Sequence, residues 1–191
     1  MLALTKNKLK PIAVVLLLLL NTGIGYSQSV TLNGFDLSGS LIPIDEIRRG
    51  GPPRDGIPSI DNPIFITSKE TEFLKNKDRI LGVYHNKVAK AYPVSILNYH
   101  EIVNDFFGED PVVITYCPLC GSGIAFHSKV QGKSGTFGVS GLLYNSDVLL
   151  YDRNTKSLWS QLMNRAITGQ AKGESLQVIP TVNTTWADWQ D

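Results

Sequence analysis

The sequence predicts an α+β, β-rich domain: antiparallel hairpins in a meander, with one main helix over about residues 95–105 packed on the sheet. Three observations predict it. Short segments alternate apolar and polar residues with period two and are separated by turn formers. A single longer stretch repeats apolar residues at helical spacing. No regular strand–helix alternation appears, which argues against a doubly wound parallel sheet.

In order, the first 27 residues read as a secretory signal peptide. Lys6, Lys8 and Lys10 form a positive n-region, Pro11 to Leu20 a short apolar core, and Gly25-Tyr26-Ser27 offers small residues for cleavage before Gln28. The apolar run is shorter than the ~20 residues that span a bilayer, so no stable membrane anchor is expected after cleavage. Export to the periplasm or the extracellular space follows. The chain carries 18 basic and 17 acidic residues; without the three signal lysines, 15 basic residues face 17 acidic ones. That balance provides no footprint for nucleic acid. The sequence names no partner. Roughly 164 mature residues suffice for a hydrophobic core without disulfides.

Residues 28–50 are a lead-in segment that lies over the domain or links to it, and 51–191 form a single domain. Asp55 to Pro63 is rich in turn formers. Ser68 to Asn76 suits a short helix capped by Ser68. Ile80–Tyr84 and Val88–Tyr92 make a hairpin around His85-Asn86-Lys87. Ser95 caps the main helix, whose buried stripe is Ile96, Tyr99, Ile102, Val103 and Phe106. Val112–Tyr116 is a strand leading into the Cys loop, and alternation over 124–130 makes the chain leave it as a strand. Segments 136–140, 148–152, 157–161 and 176–179 complete the strands. Thr185 caps a last helical turn at Trp186-Ala-Asp-Trp189.

Chemistry concentrates at Cys117-Pro-Leu-Cys120-Gly121, the only two cysteines in the chain. The spacing brings two sulfurs within reach of one metal ion or of each other. Four-cysteine zinc sites need a second pair, which this chain lacks, so further ligands must come from histidine or carboxylate. His100 is the expected third ligand, from the helix before the strand. His127 is expected to face solvent, and His85 to be a solvated turn residue. Tyr144, Asn145 and Asp147 are expected to form a polar lip or an outer shell around the site, although Asn145-Ser146-Asp147 is also turn chemistry. Zinc suits the cysteine loop, and Cu(I) suits two sulfurs with an imidazole. No nucleotide cofactor is expected, since no phosphate-cradling loop opens a helix.

Two other readings stand beside metal binding. One is thiol–disulfide exchange on a fold other than thioredoxin's, with Cys117 as nucleophile and Cys120 as resolving thiol; the strand after the CxxC argues against a thioredoxin helix. The other is a partner-binding module with a structural cysteine pair. Whether the chain is an enzyme stays open on sequence.

Several motifs in one order carry a resemblance: Asp55-Gly-Ile-Pro-Ser-Ile-Asp-Asn-Pro63, Leu97-Asn-Tyr-His-Glu-Ile-Val-Asn-Asp105, Thr115-Tyr-Cys-Pro-Leu-Cys-Gly121, Phe137-Gly-Val-Ser-Gly-Leu-Leu-Tyr-Asn-Ser-Asp147 and Leu158-Trp-Ser-Gln161. Over about residues 50–190 the chain resembles the bacterial domain of unknown function 3179 family. The resemblance implies that His100, Cys117, Cys120, Asn145 and Asp147 belong to family motifs. It also implies a continuation past the Trp186–Trp189 region, hence a truncated chain.

Overall fold

The computed structural model describes residues 30–190. The expected signal peptide lies outside them. A small hairpin of β1 (Thr31–Leu32) and β2 (Phe35–Asp36) precedes β3 (Ile47–Arg49). After a long stretch of turns come β4 (Arg79–His85), β5 (Val88–Pro93), α1 (Val94–His100), β6 (Ile102–Phe107), β7 (Asp110–Cys117) and β8 (Ser122–His127). A ribbon of β9 (Lys129–Val130) and β10 (Lys133–Ser134) leads to β11 (Phe137–Tyr144), β12 (Asp147–Asp152), β13 (Leu158–Ser160) and β14 (Arg165–Ala166). Last are β15 (Val178–Ile179), β16 (Thr181–Thr185) and α2 (Trp186–Gln190). Among the described residues no helix is long and apolar enough to cross a membrane.

The fold is β-rich and its named strand pairs are antiparallel, as expected. The strands form three main sheets, ordered β14-β13-β12-β11-β3, β15-β8-β7-β6 and β16-β4-β5. β7 explains their stacking. Pro111 to Cys117 are all buried, so both faces of this strand are covered. Period two divides its side chains between two cores. Val113 and Cys117 pack with Phe137, Val139, Val148, Leu150 and Trp159 of the five-stranded sheet. Val112, Ile114 and Tyr116 pack with Leu81, Val83, Tyr92 and Leu97 on the other side. The four-stranded sheet is therefore the middle layer. The lead-in covers the outer face of the five-stranded sheet, with Phe35, Leu37, Ile42 and Ile47 against Leu142, Leu149, Tyr151 and Leu158.

The main helix departs from expectation. It spans Val94–His100 only, with Pro93 rather than Ser95 at its N-cap. The chain turns at Glu101, whose φ of 58° is left-handed, and continues as β6. Ile96, Tyr99 and Phe106 of the expected buried stripe are exposed. Ile102 and Val103 are buried, but as strand residues paired with Thr115 and Ile114 of β7. A strand covered on both faces still needs hydrogen-bonding neighbours, and β-branched residues meet that need better than they extend a helix. The expected helix over 68–76 is likewise one 3₁₀ turn, Ser68–Glu70, closed by a capping box between Thr67 and Glu70. The expected hairpin over 80–92 is present, with Asn86 and Lys87 both at positive φ. Thr185 accepts the Asp188 N–H at 3.3 Å, as a cap of α2 should.

Candidate metal centre

Local structure builds the cysteine site in two steps. β7 and β8 pair as far as Cys117 and Ser122, so Pro118 to Gly121 form the tip of a hairpin. The Gly121 N–H donates to the Cys117 carbonyl at 2.8 Å, with Gly121 at a φ of +66° that favours glycine. This turn aims the Cys120 N–H at the Cys117 sulfur, 3.4 Å away. Period two then points Cys117 toward the five-stranded sheet. There Asn145 and Ser146, both at positive φ, make the tight turn between β11 and β12 that delivers Asp147.

Cys117 Sγ, Cys120 Sγ and an Asp147 carboxylate oxygen lie within 4.8 Å of one another. Both thiols are free; Cys117 is buried and Cys120 exposed. Asp147 is only 2% exposed, and no cationic side chain pairs with it among the described residues. It accepts from the Leu162 N–H at 3.1 Å and faces Cys120 Sγ at 3.6 Å. Burial raises its carboxyl above the usual range, against the opposing pull of the Leu162 N–H. Burial likewise pushes the Cys117 thiol up to about 11. Cys117 Sγ also lies 3.5 Å from the Ser146 carbonyl.

Behind this trio stands a buried amide. Gln161 donates to Thr115 Oγ1 at 2.8 Å and accepts from the Ser122 hydroxyl at 2.8 Å. That hydroxyl lies 3.0 Å from Cys120 Sγ. With its one proton given to Gln161, Ser122 presents only a lone pair to Cys120, whose single S–H is shared between Ser122 and Asp147. Gln161 and Ser122 were not among the expected site residues. The Leu-Trp-Ser-Gln161 motif was the signal for the first, but nothing tied it to the loop.

His100 does not join this trio. Its Nδ1 lies 2.8 Å from the Pro58 carbonyl, tying α1 to the turn-rich segment. The early end of the helix explains the difference, since β6 separates α1 in sequence from the strand carrying Cys117. Of the expected polar lip, Asp147 stands beside the sulfurs themselves, Asn145 is the exposed apex of the turn, and Tyr144 pairs with Ile47 and Asp147 at the strand end.

The other two histidines do not face solvent as expected. His85 Nε2 and His127 Nδ1 meet the same oxygen of Asp110, at 2.7 and 2.8 Å. Burial opposes the Asp110 charge, but the His85 hydrogen bond and the charges of His127 and Lys129 hold its carboxyl below the usual range. The rings of His85 and His127 stand edge to face, 5.2 Å between centroids. Arg153 donates to Asp61 at 2.9 Å and to Ser59 at 2.7 Å.

Residues 54–191 match the family described as a protein of unknown function (DUF3179). The chain belongs to this family. Both side-chain clusters fall inside the matched region, and β1 to β3 lie before it. No curated protein and no solved structure matches the chain.

Proposed function

We propose that this family member binds a thiophilic transition-metal ion, with Cys117, Cys120 and Asp147 as ligands. The observation that carries the reading is the buried Asp147 carboxylate, set beside two sulfurs and paired with no cation among the described residues. A buried carboxylate without countercharge is costly. A bound cation removes that cost and draws the protons off both thiols. Two thiolates and a carboxylate suit Zn²⁺ better than Cu(I), which prefers soft ligands throughout. A tetrahedral zinc places its sulfur ligands ~3.8 Å apart, within the span of this cluster. A fourth position is left for water or another donor.

Dithiol exchange with Cys117 as the attacking sulfur finds less support. Cys117 is fully buried and its thiol is lifted, whereas an attacking sulfur needs exposure and a low pKa. The reading also takes the chain as exported, on the signal-like residues 1–27.

Elemental analysis of the protein purified from the periplasm, with a thiol count, tests the proposal. One zinc per chain that depends on the cysteines is expected: Cys117→Ser removes that equivalent, Asp147→Asn weakens it roughly 10–100-fold or more, and His100→Ala leaves it in place. A zinc content that does not change in Cys117→Ser, with thiols that form a disulfide in equilibrium with glutathione, overturns it in favour of redox chemistry.

A further inference from the structure

The His85–Asp110–His127 cluster lies at the far end of β7 from the cysteines. Asp110 opens this strand and Cys117 closes it. Seven steps of extended chain put them roughly 23 Å apart, so the two clusters are independent. Three elements from two sheets build the cluster: His85 ends β4, Asp110 begins β7 and His127 ends β8.

The backbone around it is fixed. Asn86, in the turn after His85, donates to the Phe107 carbonyl at 3.1 Å, which anchors the β4–β5 turn to the β6–β7 turn. The His127 N–H donates to the Gln177 carbonyl at 2.9 Å. The three side chains are only 15–21% exposed, yet they line a cleft of about 440 Å³ together with Asn86, Lys129 and Gln177. The site is held in place by the fold and reachable from solvent.

We propose that His85 Nε2, His127 Nδ1 and the Asp110 carboxylate form a second site, for a divalent transition-metal ion of the zinc class. The donor set is two imidazoles and a carboxylate, which such ions take readily. The three ligand atoms lie within 4.8 Å of one another. A tetrahedral zinc with bonds near 2.0 Å separates its ligand atoms by ~3.3 Å. The two histidine nitrogens sit 2.7 and 2.8 Å from the Asp110 oxygen, so each of these two separations must open by about half an ångström to reach that spacing. Lys129, 3.5 Å from the other Asp110 oxygen and half exposed, has room to swing aside. Among the described residues three ligands converge, which leaves a coordination position toward the cleft, as in zinc sites that exchange a bound water. A purely structural role, with Asp110 as a hydrogen-bonded clasp between two sheets, is the competing explanation.

Zinc titration of the chain carrying Cys117→Ser and Cys120→Ser separates this site from the cysteine one. One equivalent of zinc is expected to bind, with affinity lowered at least about 100-fold by adding His85→Ala or His127→Ala. Failure of the folded double-serine chain to bind zinc, or binding indifferent to both histidine substitutions, overturns the proposal. Because a histidine variant can simply fail to fold, cadmium-113 NMR of the unmutated chain provides a second reading. A resonance in the nitrogen–oxygen range, distinct from any thiolate resonance, supports the site. Its absence at saturating cadmium overturns it, whatever the cysteine site does.

Discussion

Glu101 is one residue where the backbone departs from what its side chain favours. It is not a glycine, yet it takes a φ of 58° where the helix ends and β6 begins. It stays because its backbone is fully used: its N–H caps the helix on Leu97 at 2.8 Å, and its carbonyl accepts from Tyr116 at 2.7 Å. Burial pushes its carboxyl up to about 7. Between the unfolded value and that one, the folded chain holds a proton that the unfolded chain has released. Stability therefore falls as pH rises from about 4.5 to about 7. Discounted for its partial exposure, the loss is about 1–2 kcal/mol. Glu101→Gln has no proton to lose there. Urea unfolding at pH 5 and pH 8 should show the variant gaining on the parent by about that amount at the higher pH; parallel profiles would refute the account.

At the scale of the element, the β12–β13 hairpin depends on one carboxylate. Asp152 is fully buried at the end of β12. It accepts the Thr155 N–H and hydroxyl, each at 2.6 Å, and the Trp159 indole N–H at 2.9 Å. The turn and the largest fully buried side chain of the core thus share one acceptor. Asp152→Ala leaves a buried indole N–H unpaired and should cost about 2–4 kcal/mol by chemical denaturation; Asp152→Asn, which keeps an acceptor oxygen, should cost less. Equal losses in the two variants would mean that the acceptor is unimportant. The turn residues after Asp152 were legible in sequence. Its partner Trp159 was not, because that bond crosses the hairpin.

The whole molecule turns on how the middle sheet meets the five-stranded one. Asn104, on β6, pairs with β11 as a strand would: it accepts the Phe137 N–H at 2.8 Å and donates to the Phe137 carbonyl at 2.9 Å. It also donates to Asp61 at 2.7 Å, drawing in the turn-rich segment. Asn104→Ala strands two buried backbone groups, and a loss of about 3 kcal/mol in unfolding free energy is expected. A change below ~1 kcal/mol would show that water replaces the amide. The proposed cysteine site spans the same junction, since Cys117 comes from β7 and Asp147 from β12. Its geometry accordingly depends on the sheets staying in register.

What the sequence determined by itself was local. Period-two alternation and turn chemistry placed most of the strands, and the only two cysteines with a following glycine located a site. The polar residues Tyr144, Asn145 and Asp147 read as a lip around it. Tertiary structure decided everything that depends on partners distant in the chain. The need of β7 for a neighbour ended the helix at His100 and so took that histidine to Pro58. The same stacking of sheets, which no spacing encodes, brought Asp147 beside the sulfurs and gathered His85, Asp110 and His127. Periodicity reports which face of an element is buried, but not what lies across from it. A metal site is defined by what lies across.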